Sequence, residues 1–519
     1  MSPIRPSSRR TERTGPAPTT PKNVRPARDP DREKAGPVIP HIGAIAPRRG
    51  WRARGGGLTP NVDGGSVYLG TSVQVAGIYP LMQASGLPSE GVPIGPDLLT
   101  HEIVCLDPAG WVGHLTTNPG IWIQGQPGAG TSAIAKRICL GLVAYGAGLL
   151  CPGDVKGEYS DLVRGLGGQV IRIGRGHDKI NPLDAGPLGT HMRTLSPADR
   201  DRLIGEVNGR RQEVLQALLA TPHGLGRRVN AAEAAAIAVA VRVTGEHLED
   251  DPIVPDILAV LRDPPQELLG RLLVKNADEY FEQVRPATTA LSNLLDGPLA
   301  GLFDTATTTP LDLSAPAVSV DLSNLLTAGD QVVAAGLLAT WSHTYNAIDT
   351  ARAFGLLNRS LVLPLDELWR ALRAGEGMVD AFDSMSRLNR SRGEISLFIT
   401  HSLQDLEALP TAADRAKAGG LMERCDLMIL AAQPYSELTR IAKQKPLTDA
   451  EMDLVNAWAS PTATGLDGSS AMHPGRGKYL IKIGQRIGTP VRLALTEAEM
   501  RLYDTDARIR EAVSKGAGR

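Results

Sequence analysis

One glycine-rich segment constrains the fold of this 519-residue chain more than any other feature. It joins an apolar stretch typical of a buried strand, 121–124, to a stretch with the apolar spacing of a helix, 132–145. Glycines let successive backbone N–H groups turn inward around an anion, and the first turn of the following helix adds partial positive charge. The pattern predicts a phosphate-binding loop in an α/β fold. Its nucleotide-binding residues would be Gly125, Gln126, Pro127, Gly128, Ala129, Gly130, Thr131 and Ser132.

The loop departs from the usual pattern at one position. The pattern G-x-x-x-x-G-K-[ST] has a lysine, which reaches the β- and γ-phosphates, where this chain has Thr131. The next residue, Ser132, matches the position whose hydroxyl coordinates Mg²⁺. Lys136 follows further along the helix, about 7 Å deeper, so we do not expect it to substitute well. Three interpretations remain: ATP binding with hydrolysis, nucleotide binding without efficient hydrolysis, and a glycine-rich turn that binds no ligand.

A second candidate site is an apolar strand pattern, 361–365, that ends in two carboxylates. Beside a phosphate loop, Asp366 would contact the metal ion and Glu367 would polarise the attacking water. The same two residues are also compatible with an ordinary strand end. Pro364 has no N–H for the sheet ladder, so we expect a bulge there.

Strand and helix patterns alternate along most of the chain, which predicts a parallel, doubly wound sheet. Between residues 190 and 300 the patterns are helical, at 196–220, 230–244, 254–261 and 267–273. A further helix is expected at 379–391, and a terminal hairpin from 479–484 and 491–495. The expected units are a disordered basic arm (1–57), the first part of the core (58–189), an all-helical insertion (190–305), the second part of the core (306–510) and a tail (511–519).

Charge is distributed unevenly along the chain. The total is -1, but the arm at 1–57 carries a net +9 and the remaining residues a net -10. Ten of the 38 prolines also lie in the arm, and such a composition buries too little apolar surface to offset its ordering entropy. The arm is either a solvated tail or a tether for acidic lipid headgroups or nucleic acid. The acidic remainder argues against a protein that coats DNA over its whole surface.

Cysteine content and hydropathy indicate in which cellular compartment the protein resides. Four scattered cysteines are too few for a disulfide framework or a zinc site, and we expect reduced core thiols in an intracellular protein: Cys105, Cys139, Cys151 and Cys425. No apolar run reaches the ~18–20 residues of a membrane-spanning helix, and the first residues lack the apolar stretch of a secretory signal. Peripheral membrane association would therefore arise through a partner or through the basic arm.

Several motifs follow the glycine-rich loop in a defined order, at 153–162, 180–184, 320–325, 365–370, 398–406, 421–426, 477–484 and 495–506. Their order resembles the ATPase core of conjugation and type IV secretion motors in the HerA/FtsK-like superfamily, and most of all the TraC-like assembly ATPases. The resemblance implies a RecA-like P-loop NTPase core with a mainly parallel sheet and an inserted all-helical domain. It also implies ATP and Mg²⁺ as ligands and a homo-hexameric ring in the cytoplasm, at the inner face of a membrane complex.

The resemblance also implies partners. These are the channel proteins of a secretion or conjugation apparatus, with DNA as a possible transferred substrate. Motors of this kind usually carry a substantial N-terminal domain before the ATPase core. We therefore expect an ATPase-only form, which works with a separate protein that supplies the missing domain.

By position, the resemblance assigns further site residues. His401 stands where many members have a glutamine at a strand end facing the γ-phosphate, although a lone histidine is often structural. An arginine finger from a neighbouring subunit is expected in this class, with Arg392 and Arg424 as candidates that are also compatible with ordinary packing. Lys156 is a candidate on different grounds, because it follows a strand pattern and the carboxyl edge of an α/β sheet is where ligands bind. It would contact phosphate or translocating DNA, or would pair with Glu158 or Asp161.

Three functions are compatible with these features. The first is an ATP-driven motor of a conjugation or secretion apparatus. The second is a nucleotide-binding subunit of such a machine that does not hydrolyse ATP. The third is a DNA translocase of the HerA/FtsK type, which tight and salt-sensitive duplex binding after deletion of 1–57 would favour.

Overall fold

The computed structural model describes residues 86–186, 196–247, 250–297, 299–373, 379, 382, 393–409, 411–460 and 475–503. A short antiparallel pair comes first, formed by β1 (Val92–Pro96) and β2 (Ile103–Leu106). Within the described ranges, nine further strands form one sheet: β3 (Ile121–Gln124), β4 (Gly148–Asp154), β5 (Gln169–Arg172), β6 (Ala317–Asp321), β7 (Leu361–Leu365), β8 (Glu394–Thr400), β9 (Leu427–Leu430), β10 (Lys478–Ile483) and β11 (Thr489–Arg492).

The sheet order is β11-β10-β9-β3-β8-β7-β4-β6-β5. Strands β9 to β5 in this order run parallel, whereas β10 is antiparallel to β9 and β11 is antiparallel to β10. Every residue of β3, β4, β6, β7, β8 and β9 is buried, as expected for parallel strands covered on both faces. The predicted α/β class with a mainly parallel sheet and the predicted terminal hairpin are therefore confirmed.

The expected bulge at Pro364 is wrong. The pairing of β7 with β8 continues in register through Pro364, opposite Leu397. The pairing of β7 with β4 ends at Val362, before the proline is reached. The missing N–H of Pro364 therefore interrupts no register, because the ladder with β4 has already ended.

Helices cover both faces of the sheet or lie between β5 and β6 in the chain. Their bounds are α1 (Thr131–Ala144), α2 (Ser160–Gly165), α3 (Pro197–Ala220), α4 (Ala231–His247), α5 (Val254–Arg262), α6 (Gln266–Arg271), α7 (Ala277–Asp296), α8 (Asp330–Ala353), α9 (Leu368–Leu372), α10 (Gln404–Glu407), α11 (Ala412–Glu423), α12 (Tyr435–Ala442), α13 (Asp449–Trp458) and α14 (Glu497–Tyr503). A 3₁₀ helix, 323–328, precedes α8. Helix α8 is buried almost all round, between β4 on one side and α3 on the other.

The helical character of the segment after residue 190 agrees with the sequence pattern, because α3 to α6 occupy the four predicted stretches. Helix α7 was not predicted. It contains Pro286, which removes one backbone donor from the helix interior. A buried apolar face that includes Tyr280, Val284 and Leu291 holds the helix in place despite this loss. The boundaries of the insertion stay a prediction.

Four other expectations from the sequence concern the basic arm, the helix at 379–391, the cysteines and membrane-spanning segments. The basic arm lies outside the described residues, and of the helix expected at 379–391 only residues 379 and 382 are described. The four cysteines are buried free thiols, as expected. Among the described helices, none is both long enough and apolar enough to cross a bilayer.

Candidate functional site

Four chain segments meet at the carboxyl edge of the sheet. Strands β3, β8, β7 and β4 are neighbours in that order and run parallel. They end in the glycine-rich loop, in His401, in the Asp366–Glu367 pair and in the turn that carries Lys156, respectively. In open parallel sheets this edge is where ligands bind. Tertiary structure thus brings together residues that are up to about 280 positions apart, a separation set by Gly125 and His401.

The loop from Gly125 to Ser132 has the backbone shape of an anion cradle. Gly128 and Gly130 adopt φ angles of 82° and 101°, in the left-handed region that favours glycine. A Cβ atom at Gly125 would lie 2.6 Å from the Cβ of Ala431, so glycine is also required at the base of the loop. The local pattern of glycines was therefore sufficient to predict this turn.

Neighbouring strands anchor the loop. The Gln126 N–H donates to the carbonyl of Ala432 at 2.9 Å, and the Ala129 N–H donates to the carbonyl of Gln126 at 3.0 Å. On the far side, the buried Tyr479 of β10 donates its hydroxyl to the carbonyl of Gly130 at 2.7 Å. Tyr479 was not foreseen, because its role depends on β10 lying near the loop in the folded chain.

The other N–H groups of the loop are available to bind an anion. Among the described residues, the N–H groups of Gly128, Gly130, Thr131 and Ser132 have no protein acceptor. The first turn of α1 contains no acidic residue, and no side chain caps it. A helix N-terminus with free N–H groups and no capping carboxylate attracts phosphate oxygens. The hydroxyl of Ser132, which is half-buried in this turn, lies beside these groups.

Neither Thr131 nor Lys136 supplies the cation that the usual loop lysine provides. Thr131 is 5% exposed, and its methyl group packs toward Gly125. Lys136 is 1% exposed and forms an ion pair with Glu158 at 3.1 Å between Nζ and Oε2. The Lys136 ammonium also lies over the rings of Tyr159 and Tyr503. It is bound within the core, in agreement with the expectation that it does not substitute.

Asp366 directly follows β7 and has an unusual charge state. Burial raises the pKa of its carboxyl group most, the carboxylates of Glu158 and Glu367 add to the rise, and Lys156 and His401 oppose it, so that the pKa is about 7. Among the described side chains, no cation pairs with Asp366 at ion-pair distance. Within the described part of the chain, its Oδ1 accepts only the Glu367 N–H, at 2.9 Å. A hard oxygen ligand without a cation beside a phosphate loop fits Mg²⁺.

Glu367 is the opposite case, because it is buried and has basic side chains around it. Its Oε1 contacts the Lys156 ammonium and lies 3.6 Å from the His401 Nε2, while its Oε2 lies 3.3 Å from the Arg370 Nε. Burial alone would raise the pKa of Glu367, but hydrogen bonds from His401 and Lys156 outweigh this effect and hold the pKa well below its usual range. Glu367 is therefore a carboxylate at neutral pH.

The backbone of Glu367 is strained. Its φ angle is 56°, which a residue with a Cβ rarely adopts. Such strain costs on the order of 1–3 kcal/mol and persists where the surrounding structure holds it, often at functional sites. The conformation turns the chain sharply between β7 and α9, so that the side chain lies in the edge cluster while Asp366 stays at the strand end.

His401 connects the loop to this carboxylate. Its Nδ1 lies 3.2 Å from the carbonyl of Gly125, and its Nε2 faces Glu367. The hydrogen bond to Glu367 raises the pKa of His401, and the Gly125 carbonyl adds to the effect. The buried side chain of Gln433, which was not foreseen, donates to the His401 carbonyl at 2.9 Å. His401 thus fits the expected position at a strand end that faces the loop.

Of the two expectations for Lys156, the pairing with Glu158 or Asp161 is wrong, and contact with phosphate or DNA stays a prediction. Its partner is Glu367, not Glu158 or Asp161. The turn that carries it is fixed by the buried Asp154, whose carboxylate accepts the N–H groups of Glu158 at 2.9 Å and Tyr159 at 2.7 Å. Strands β4 and β7 are neighbours in the sheet, which places Lys156 beside Glu367. No local pattern could have indicated this pairing.

The two arginine candidates remain untested. Arg392 lies outside the described residues. Arg424 ends α11 just before β9, and its Nε donates to the carbonyl of Gly420 at 3.2 Å. Because β9 is parallel to β3, Arg424 lies at the amino edge of the sheet, away from the loop of its own chain. A role toward a neighbouring subunit stays a prediction for both residues.

Comparisons with known proteins give a structural relative only. No protein-family model matches the chain, and no curated protein sequence matches it. The plasmid coupling protein TrwB, solved with ADPNP and with ADP and Mg²⁺, gives TM-scores of 0.46 and 0.45 at 12% and 11% identity, over 73% of this chain and 86% of TrwB. Scores below 0.5 give no support for a shared fold.

The structure of VirB4 from Thermoanaerobacter pseudethanolicus matches more closely. It gives a TM-score of 0.59 at 21% identity, and the alignment covers 80% of this chain and 100% of that chain. The resemblance drawn from the order of the motifs is therefore confirmed in fold: over most of its length, this chain folds as VirB4 does.

Proposed function

We propose that this chain is an ATP-binding motor subunit of a conjugation or type IV secretion apparatus. One observation carries the proposal: a loop with free N–H groups, a carboxyl group without an ion-pair partner among the described side chains, and a glutamate whose pKa its neighbours lower converge at one edge of a parallel sheet. The VirB4 fold, which this chain matches over the whole length of that structure, supports the choice of machine.

The residues have separate roles in this proposal. The N–H groups of Gly128, Gly130, Thr131 and Ser132 would hold the phosphates, and Ser132 and Asp366 would hold Mg²⁺, which would supply neutralising positive charge there. Strands β3 and β7 are separated only by β8, or about 10 Å, so the loop and Asp366 flank one small space. Glu367 orients the attacking water and accepts its proton, and His401 faces the same space from the end of β8.

A homo-hexamer is part of this proposal. In such a ring, Arg392 or Arg424 would reach the phosphates of a neighbouring subunit, and the chain would act on the cytoplasmic side of the membrane with channel proteins as partners. The test is the assembly state of purified protein with and without ATP and Mg²⁺, by light scattering. A monomer under all conditions at micromolar concentration would contradict this part.

A second candidate, a nucleotide-binding subunit that does not hydrolyse ATP, is favoured by one specific observation. Thr131 packs inward against the base of the loop and brings no charge to it. The loop lysine normally stabilises the charge on the phosphates in the transition state. Binding and hydrolysis therefore have to be measured separately.

The deciding experiment compares ATP binding, by calorimetry, with phosphate release in five proteins: wild type, Thr131→Lys, Thr131→Ser, Glu367→Gln and Asp366→Asn. Thr131→Ser is the matched control, because it changes the buried side chain without adding charge. For a motor, wild type turns over ATP, and Glu367→Gln lowers the rate by about 100-fold or more while it retains binding.

Other outcomes identify the alternatives. Binding without turnover in wild type, with turnover gained in Thr131→Lys but not in Thr131→Ser, would assign the non-hydrolysing subunit. Turnover that survives Glu367→Gln would refute the role of Glu367. Absence of ATP binding at millimolar nucleotide would refute both candidates.

A further inference from the structure

The phosphate loop lacks a cation of its own. Residue 131 is a buried threonine, and Lys136 forms a buried ion pair with Glu158, so neither side chain offers a charge to the loop. Free N–H groups orient phosphate oxygens but carry only partial charges. A triphosphate at neutral pH needs more positive charge than this helix end supplies, so a cation from elsewhere in the fold has to be considered.

Three basic side chains contact Glu367 near the loop, and they differ in how many other groups hold them. Arg370 is held twice, by Glu367 and by Asp330. His401 is held between Glu367 and the carbonyl of Gly125. Lys156 has Glu367 as its single partner among the described residues, and its side chain is 39% exposed, against 20% and 27% for Arg370 and His401. Lys156 is therefore the cation that can leave Glu367 at the lowest cost.

The backbone that carries Lys156 is well fixed even though its side chain is not. Asp154 binds two N–H groups of the turn, and the neighbouring Val155 is buried. Gly157 takes a φ angle of 68°, which closes the turn. A flexible four-carbon stem on a rigid base allows the ammonium to swing within a defined radius. The turn thus presents a movable charge at the edge where β4, β7 and β3 end.

We propose that Lys156 supplies the cation for the terminal phosphates of bound nucleotide in place of the missing lysine at position 131, and that its ion pair with Glu367 is the nucleotide-free position. The inference rests on the proposed function and adds a residue to it. Exchanging one ion pair for another costs little, because the ammonium is charge-compensated in both positions.

The simpler explanation is that Lys156 only positions Glu367. The two roles differ in what they change. A phosphate ligand affects the affinity for ATP, and its loss is repaired by a lysine placed at position 131. A positioning residue affects turnover but not affinity, and a lysine at position 131 does not repair it.

The test measures dissociation constants for ATP, ADP and AMP by calorimetry in wild type, Lys156→Met, Lys156→Ala, Thr131→Lys and the double variant Thr131→Lys/Lys156→Met. Lys156→Met keeps the stem and removes the charge, and Lys156→Ala serves if Met disturbs folding, with circular dichroism as the check on both. Lys443→Met is the matched control, because Lys443 is an exposed lysine at the end of α12.

The inference expects Lys156→Met to weaken ATP binding roughly ten- to hundredfold, with little effect on AMP, and expects the double variant to recover most of the loss. Lys443→Met should bind as wild type does. If wild type binds ATP and Lys156→Met binds it equally well, the inference fails while the proposed function stands. The same holds if Lys156→Met loses affinity that Thr131→Lys does not restore. If wild type binds no ATP, both fail.

Discussion

The buried ion pair between Lys136 and Glu158 allows a sharp prediction about stability. Lys136 is 1% exposed and Glu158 is 12% exposed, with 3.1 Å between Nζ and Oε2. At that distance two unit charges attract by about 5 kcal/mol at an effective dielectric constant of about 20. Desolvation offsets most of this gain, but removing one partner leaves an uncompensated charge and costs roughly 3–5 kcal/mol.

The two single variants should differ because the remaining charges differ in access to water. In Lys136→Met the remaining carboxylate keeps some contact with solvent, so we expect about 3 kcal/mol. In Glu158→Gln the remaining ammonium is fully enclosed, so we expect a loss nearer 5 kcal/mol. With an unfolding entropy of about 2.1 cal/mol/K per residue over roughly 400 residues, these losses lower Tm by about 4 °C and 6 °C.

Differential scanning calorimetry of nucleotide-free protein measures these shifts. The double variant Lys136→Met/Glu158→Gln should recover to within about 2 °C of wild type, because no buried charge remains. Arg501→Met is the control, since the ion pair of Arg501 with Glu497 is more than 80% exposed on both sides and should change Tm by less than about 1 °C. Two additive single losses, or two single variants that melt as wild type does, would refute the reasoning.

Two further predictions concern the site. The pKa of Asp366 is raised to about 7, so the stability this carboxyl contributes is fully present below its unfolded pKa and is lost as pH rises through 7. The Tm of Asp366→Asn minus the Tm of wild type should therefore be larger at pH 8 than at pH 6, in the absence of nucleotide. A Tm difference that is the same at both pH values would contradict this. Gly130→Ala should cost about 1–2 kcal/mol from its left-handed backbone and also weaken ATP binding, because the new Cβ would lie 2.7 Å from the Tyr479 hydroxyl. Gly146→Ala, at a φ of 94° with open space around it, should lose stability alone; equal ATP affinity in both variants would show that the Tyr479 contact does not shape the loop.

The two adjacent carboxyl groups of the site have different electrostatic surroundings. Glu367 lies beside the basic side chains of Lys156, Arg370 and His401, whereas Asp366 has no ion-pair partner among the described side chains. Adjacent carboxylates with opposite environments are suited to different roles, one as a metal ligand and one as a base. This division supports the proposed assignment independently of any relative.

Local sequence determined the parts of the protein whose partners are close in the chain. The glycines at 125, 128 and 130 and the helix after them define the loop by themselves, because positive φ angles and free N–H groups at a helix start are local properties. The apolar strands indicated the parallel sheet, since burial on both faces leaves continuous apolar runs. Even the absence of a loop lysine at position 131 was evident without a structure.

Tertiary structure decided which charges meet. Lys156 reaches Glu367 because β4 and β7 are neighbours in the sheet, although about 210 residues and the helices α2 to α8 separate them in the chain. His401 reaches Gly125 because β8 lies beside β3. Strand order is a global property that no local pattern encodes, so the sequence determined the site's components, and only the order of strands decided that Lys156 is the movable charge beside an uncharged loop.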